Sequence, residues 1–373
     1  MSEVMTRLMA TLSPRLLRAA GYPVGVHLSG DRLSAAQIQR TASGPALSAV
    51  ASLDLGCPWY SMLGEPRRFK HALQRFWTEH GFRGSEVIAA MPQEQLKVFT
   101  VDYTVAPGQA DAEAISSEVK DRMKDKARGL VVDFVPVRQA TADERSKEAV
   151  VAVAAREDVT AFLNFLRHAG LEVSALDITG MALKRVVPWI DRGSTPHLQN
   201  ALLIHFGAVS TQLTVIWGRR LMLDRSIEFS EQRLISRVVR LLDVPEAAAQ
   251  RLLAEHGLAT GKGAGAEMHG VLREIVGAEL AVLKAEIGKT LHYAVSKTRG
   301  SGIDNVLLVG AVARFPGVAQ LLSKDLAVPV EVLDPLSAFP HSLTDEQAAG
   351  LSPQCGVAVA VGLALRGVPG PGV

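Results

Sequence analysis

The sequence predicts an α/β fold in two lobes, and three observations carry that expectation. Short segments rich in Val, Ile and Leu alternate with longer segments of helical period, the pattern of a mixed or parallel sheet flanked by helices. A strand-turn-strand-turn-strand unit occurs near the start and again after residue 200, which points to an internal duplication. The chain has 373 residues, more than one core of ordinary size accommodates when domains run to about 100–200 residues.

Taken in order, the first unit is Val24–Leu28, Leu33–Gln39 and Ala46–Leu55, separated by the turns Ser29-Gly30-Asp31 and Ser43-Gly44-Pro45. A helix is expected from about Pro66 to His80. Val87–Met91, Leu96–Tyr103, a polar helix over Asp111–Lys126 and Val131–Val137 form a compact stretch that reads as a small inserted α+β subdomain. Ala149–Ala154 reads as a strand of the first lobe, followed by a helix over Arg156–Ala169 that ends at Gly170, a common helix stop. Leu171–Ile178 is the lobe's last strand before a helix near Met181. After the turn-rich connector Arg192–Gln199 the second unit follows as Leu202–Phe206, Gln212–Trp217 and Arg220–Asp224, then helices over Arg233–Leu242, Pro245–His256 and Val271–Thr298, and a strand at Asn305–Val309. The divisions implied are a leading segment 1–20, a first lobe of 21–84 with 149–195, an insert of 85–148, a second lobe of 196–228 with 300–373, and a helical subdomain of 229–299.

Composition removes several function classes. Forty basic residues balance 38 acidic ones for a net charge of +2, so no global field selects nucleic acid. The two cysteines, Cys57 and Cys355, lie far apart without CxxC spacing; this fits a reducing compartment and reads as two buried small apolar groups rather than a zinc or redox motif. The longest apolar runs, Ala201–Ile204 and Val357–Leu365, fall short of the roughly 18 residues that a spanning helix needs. Met1–Ala20 carries Met5, Leu8, Met9, Leu12, Leu16 and Leu17 at near-helical spacing with Arg7, Arg15 and Arg18, which fits a helix packed on the body, with a membrane-surface contact as the sharper alternative. Gly257-Leu258-Ala259-Thr260-Gly261-Lys262-Gly263 imitates a Walker loop. It has one residue too few between glycines and Gly263 where Ser or Thr should hold the metal, so it reads as a loop.

The C-terminal third is more specific. Ile303 to Ala313, ending in Val309-Gly310-Ala311-Val312-Ala313, with Pro316-Gly317-Val318 after it, looks like the strand-Gly-Gly-x-Ala loop at the adenosine site of the actin-like ATPase superfamily. Val330-Glu331-Val332-Leu333-Asp334-Pro335, Val359 to Arg366 (VAVGLALR), Glu286 to Tyr293 (EIGKTLHY), Ala169 to Val173 (AGLEV) and Asp177 to Leu183 (DITGMAL) are similar, in order, to motifs of the PilM family. The resemblance runs from about residue 24 to 367. It implies an actin-like ATPase fold, a duplicated RNase H-like plan of two lobes, with an inserted small α+β subdomain. It also implies a cytoplasmic protein peripheral to the inner membrane, part of the assembly platform of a type IV pilus or related secretion system. The implied partner is a PilN-like single-span membrane protein, whose cytoplasmic tail lies beside the insert against residues the sequence does not identify. Other platform components and self-assembly are further implied contacts.

This sequence departs from the family at its nucleotide loops. Where the family has Asp-Ile-Gly-Ser, this chain has His27-Leu28-Ser29-Gly30-Asp31; where it has Asp-Ile-Gly-Ala-x-x-Thr, this chain has His205-Phe206-Gly207-Ala208-Val209-Ser210-Thr211; and Gly310-Ala311 replaces Gly-Gly. An imidazole does not substitute for the carboxylate that places Mg²⁺, a hard cation preferring oxygen, and hydrolysis of a triphosphate rests on positioning and neutralising charge. The residues His27, Ser29, Gly30, Asp31, His205, Gly207, Ala208, Thr211, Gly310 and Ala311 are therefore expected to form a vestigial nucleotide site, with no catalytic or metal-ligating residue. ATP with Mg²⁺ bound without efficient hydrolysis stays open, as does an ATP-driven switch of partner binding. His27 and His205 end equivalent strands and face each other either as a metal or acid-base pair or as satisfied histidines in repurposed turns.

Overall fold

A computed structural model describes residues 22–124, 129–138, 146–190, 199–259, 266–298, 300–326 and 328–370. The leading segment and most of the Walker-like loop lie outside the described residues.

The first lobe is built on β1 (Val24–Ser29), β2 (Arg32–Thr41) and β3 (Gly44–Asp54), an antiparallel meander, joined by the parallel strands β4 (Glu86–Ala90) and β8 (Glu172–Asp177) in the order β3-β2-β1-β4-β8. The second lobe repeats this plan. Its strands β9 (Ala201–Phe206), β10 (Thr211–Trp217), β11 (Arg220–Ile227), β12 (Asn305–Val309) and β13 (Val330–Val332) run β11-β10-β9-β12-β13, with β9 parallel to β12 as β1 is to β4. The duplication read from the two glycine-turned units is thus a duplication of topology.

Alternation along β1 and β9 explains the layering, because successive side chains point to opposite faces. Val24, Val26 and Leu28 face outward onto α1 (Pro66–Glu79) and α3 (Arg156–His168), where Phe69 stacks on Phe165 at 4.3 Å. Leu202, Ile204 and Phe206 face the helices α5 (Glu231–Leu242), α6 (Glu246–Glu255) and α7 (Ala266–Lys297). The other faces of both sheets meet a shared middle layer of α4 (Thr179–Ile190) and α10 (Cys355–Ala364). A helix as apolar as Cys355-Gly-Val-Ala-Val-Ala-Val-Gly-Leu-Ala364 has no face for water and belongs between layers. Its approach is backbone-close. A Cβ added to Gly25 of β1 would lie 2.1 Å from the Ala360 carbonyl oxygen, and one added to Gly362 would lie 2.0 Å from that of Ala182 in α4. The last helix in the sequence therefore packs on the first lobe's sheet, joining the two halves. No helix among the described residues is long and apolar enough to cross a membrane.

The insert contains β5 (Leu96–Thr104), α2 (Asp111–Met123), β6 (Leu130–Arg138) and β7 (Ser146–Ala155), with sheet order β5-β7-β6. This corrects the bounds of the insert at both ends: Val87–Met91, read from sequence as part of the insert, is β4 of the first lobe's sheet, and Ala149–Ala154, read as a strand of the first lobe, is the central strand of the small sheet, paired on both sides. Its uninterrupted apolar run reflects burial on two faces. Ala149, Val151 and Val153 pack toward Ala114, Ile115 and Val119 of α2, while Val150 joins the second lobe's core. The insert is also tied to that lobe by polar contacts. Buried Glu148 of β7 accepts the Tyr293 hydroxyl and pairs with Lys297 at 3.0 Å, and Lys297 reaches Asp102 of β5 at 3.1 Å. A second correction concerns Cys57, which is half-buried at the rim of the interlobe cleft rather than inside a core.

Candidate functional site

Two features could bind something: the cleft between the hairpin turns of the lobes, and a groove beside the insert.

In the cleft, the β1–β2 connection is reduced to Gly30-Asp31 between the paired residues Ser29 and Arg32. Gly30 takes φ +59°, as the first position of so tight a turn requires. Its carbonyl accepts from Trp59 N–H at 2.9 Å and that of Asp31 from Leu55 N–H at 2.8 Å. The equivalent β9–β10 loop has four residues, Gly207 to Ser210, closed by Gly207 N–H to Ser210 O at 3.1 Å. The two loops approach closely: a Cβ, which Gly30 lacks, would stand 3.6 Å from Ala208 Cβ and 4.0 Å from Val209 Cγ2.

The start of α5, a natural anion-binding point, is already engaged. Glu231 N–H and Gln232 N–H donate to the carbonyls of Gly207 and Ala208 at 3.3 and 3.2 Å, and Arg233 N–H donates to Ser230 Oγ at 3.2 Å. The cavity at the mouth, about 580 Å³, is lined by Asp31, Glu94, Glu231 and Glu246 against Arg32 alone. Burial pushes the Glu231 carboxyl up, Arg32 pulls it back and Asp31 adds to the rise. A polyphosphate meets four carboxylates and one arginine at this mouth, and the first three N–H groups of α5 are already engaged.

Behind the loops, His27 and His205 occupy equivalent positions on the inner faces of β1 and β9, both buried. Burial first, then the proximity of His205, lowers the His27 pKa to about 3, so the ring is neutral; its Nδ1 has no hydrogen-bond partner. A Cβ on Gly356, at the start of α10, would lie 2.4 Å from Ser34 Oγ and 3.2 Å from His27 Cδ2, so the helix presses directly on this ring. The two histidines lie on equivalent strands, His205 close enough to lower the His27 pKa, but among the described residues no group of three His, Cys, Asp or Glu could hold a metal ion. Thr211 lies one residue out of phase, on the opposite face of β10 with Leu213 and Val215. Gly310 keeps its turn at φ +100°, ahead of a short helical turn over Ala311–Arg314 at the end of β12. Nearby, Asp224 of β11 accepts the Thr214 hydroxyl at 2.7 Å and the Gly180 N–H at the start of α4, and burial pushes its carboxyl up to about 6.

The groove was invisible as a set of residues in the sequence. A cavity of about 260 Å³ lies between the insert and the first lobe, lined by Met91, Leu96, Val150, Ala152, Val159 and Met181, with a charged end. There Asp177 is bracketed by Arg185 at 2.7 Å and Arg366 at 3.3 Å, and burial raises the nearby Asp133 carboxyl. A trough of about 760 Å³ shares Val131, Asp133, Val159 and Leu176 with this cavity and continues along α3 to Glu172. Its walls include β8 and β6, each the last strand of its sheet, and hence two strands with an open backbone edge. The readable signal was β7, whose two-sided apolar run demanded a second covering that a three-stranded sheet with one helix does not supply.

A family model described as "Type IV pilus assembly protein PilM" matches residues 25–368. The chain belongs to the PilM family. Among solved structures, one described as "PilM-PilN type IV pilus biogenesis complex" superposes with a TM-score of 0.75 at 23% identity, covering 93% of this chain and 99% of that one. The ethanolamine utilization protein EutJ of Carboxydothermus hydrogenoformans (TM-score 0.48, 13% identity, 92% and 89% covered) and MreB5 of Spiroplasma citri bound to ADP (0.45, 12%, 88% and 95%) are more distant. No curated protein matches. The PilM fold, an actin-like ATPase fold with mixed sheets, is thus the fold of this chain, as its collinear C-terminal motifs imply.

Proposed function

We propose that this PilM-family protein is a cytoplasmic, nucleotide-independent scaffold in the inner-membrane platform of a type IV pilus or related machine, and that it holds the cytoplasmic tail of a PilN-like protein in the groove beside the insert. The single observation that carries the reading is the contrast between the two features. The cleft has its loops closely approached, its helix N-terminus engaged and its lining acidic, whereas the groove is apolar with a charged end and is edged by two strands that each pair on one side only. An extended tail adding to such an edge gains main-chain hydrogen bonds, with apolar side chains seated in the cavity. Asp133, Asp177, Arg185 and Arg366 provide partners of both charges at one end.

The experiment is fluorescence anisotropy with a labelled peptide copying the tail of the PilN-like protein, comparing the parent protein with Ala152→Arg. Ala152 is half-buried on the groove wall, so the arginine blocks the cavity while leaving the sheet paired. Saturable binding that weakens at least tenfold in the variant supports the reading; equal binding by both refutes the groove.

A further inference from the structure

On the far side of Arg185 from the groove lies a second cavity of about 260 Å³, between the C-terminal half of α4, the β10–β11 turn and the residues after α10. Its lining includes Lys184, Arg185 and Arg219 and no acidic residue. Arg220 adds a fourth cation, close enough that it lowers the Lys184 pKa after burial and Arg185 have done so. Among the described residues, neither Lys184, Arg219 nor Arg220 has an ion-pair partner, and Arg185, although paired to Asp177 through Nη2, keeps a buried Nη1 without a hydrogen-bond partner. Asp177, the carboxylate that Arg185 holds at 2.7 Å, lines the groove and not this cavity.

Clustering like charges around a half-buried lysine is unfavourable unless something anionic answers them. The backbone gives a second sign. Arg219 sits at φ +64° in the two-residue turn Gly218-Arg219 between the paired Trp217 and Arg220, a left-handed position that glycine or asparagine fills at lower cost. An arginine held there in spite of the strain delivers a guanidinium to the cavity rim. The floor is apolar, with Val187, Trp189 and Ile216. The volume lies just under the range of about 300–1,000 Å³ that holds drug-sized ligands, so the occupant is small.

We infer that this cavity binds a phosphate group carried on a small, partly apolar molecule, with Lys184 and Arg219 as its charge-assisted donors and Arg185 as the wall shared with the groove. Phosphate matches several convergent cations better than a lone carboxylate does, because it offers more acceptor oxygens and charge. The phosphate could come from a free metabolite or from a lipid headgroup, and both would meet the same donors.

The test titrates the full chain with inorganic phosphate and with glycerol phosphate by calorimetry, and pellets it with phosphatidylglycerol and with phosphatidylcholine vesicles. The parent protein is compared with Lys184→Met/Arg219→Ala and with the control Arg75→Ala, whose arginine lies on the exposed face of α1 beside Glu79. Circular dichroism checks that all three fold. The expected result is saturable binding by the parent and the control, weakened about tenfold for each charge-assisted bond lost in the double variant. Binding to the soluble phosphates identifies a metabolite as the source; binding only to phosphatidylglycerol vesicles, lost in the double variant, identifies a headgroup. No saturable binding in either format, or binding that a folded double variant retains, overturns the inference.

Discussion

Replacing His27 by Gln should remove a defined part of the protein's acid sensitivity. In the folded chain the His27 pKa is lowered from 6.5 to about 3, through burial and then through His205. A base whose folded pKa is depressed contributes stability that is present above pH 6.5 and is lost as pH falls toward 3, because only the unfolded chain takes up the proton. From the linkage relation, acidification from pH 7 to pH 5 costs roughly 2 kcal/mol through this residue alone. Asp224 acts in the opposite sense: its carboxyl is raised from 3.8 to about 6, so its contribution is present at low pH and lost as pH rises through 6. The same acidification gains about 1 kcal/mol there. The assay is urea unfolding at both pH values. The stability change between pH 7 and pH 5 should be more favourable by roughly 2 kcal/mol in His27→Gln than in the parent, and less favourable by about 1 kcal/mol in Asp224→Asn. A His27→Gln protein with the parent's pH dependence would refute the claim that this ring is buried and neutral between the lobes.

Three further outcomes follow from the packing. Gly362→Ala would place a Cβ 2.0 Å from the Ala182 carbonyl oxygen, against backbone that has no side chain to rotate away, and should destabilise the protein by about 3 kcal/mol in the same unfolding assay. Tyr293→Phe removes the hydroxyl that satisfies buried Glu148 and should cost about 1–2 kcal/mol, with faster hydrogen exchange in β7 as the signature that the insert has loosened from the second lobe. The double change His27→Asp and His205→Asp, which returns acids to both strands, should not produce ATP binding in calorimetry, because the α5 N–H groups remain engaged and the mouth remains acidic; saturable binding would show that the lost acids alone closed the site.

Much of the fold was legible because period-2 and period-3.6 patterns are local. The strand expected at Asn305–Val309 is β12, and the helix expected from about Pro66 to His80 is α1, whose Phe69, Leu73 and Phe76 form its buried stripe. Strand pairing is not local, and that is where the reading failed. Nothing between Ser146 and Ala155 says which sheet owns the strand; β7 pairs with β5 across a whole helix and another strand. The second-lobe strand read as Arg220–Asp224 runs on to Ile227 because β10 continues to pair with it. At the candidate site, the loss of the acids at positions 27 and 205 was visible as letters. The close approach of Gly30 to Ala208 and the capture of the α5 N–H groups by loop carbonyls depend on how the chain folds around the cleft. The groove was least legible, since Met91, Ala152, Asp177 and Arg366 come from four separate elements and only their assembly makes a cavity.

The central claim is that the partner tail binds without help from nucleotide. Calorimetric titration of the full chain with the PilN-like tail peptide, repeated after saturating addition of ATP and Mg²⁺, tests it most directly. The account predicts one peptide isotherm, unchanged by ATP, and no heat of ATP binding. An ATP isotherm whose presence shifts the peptide affinity would contradict it and establish a nucleotide-driven switch.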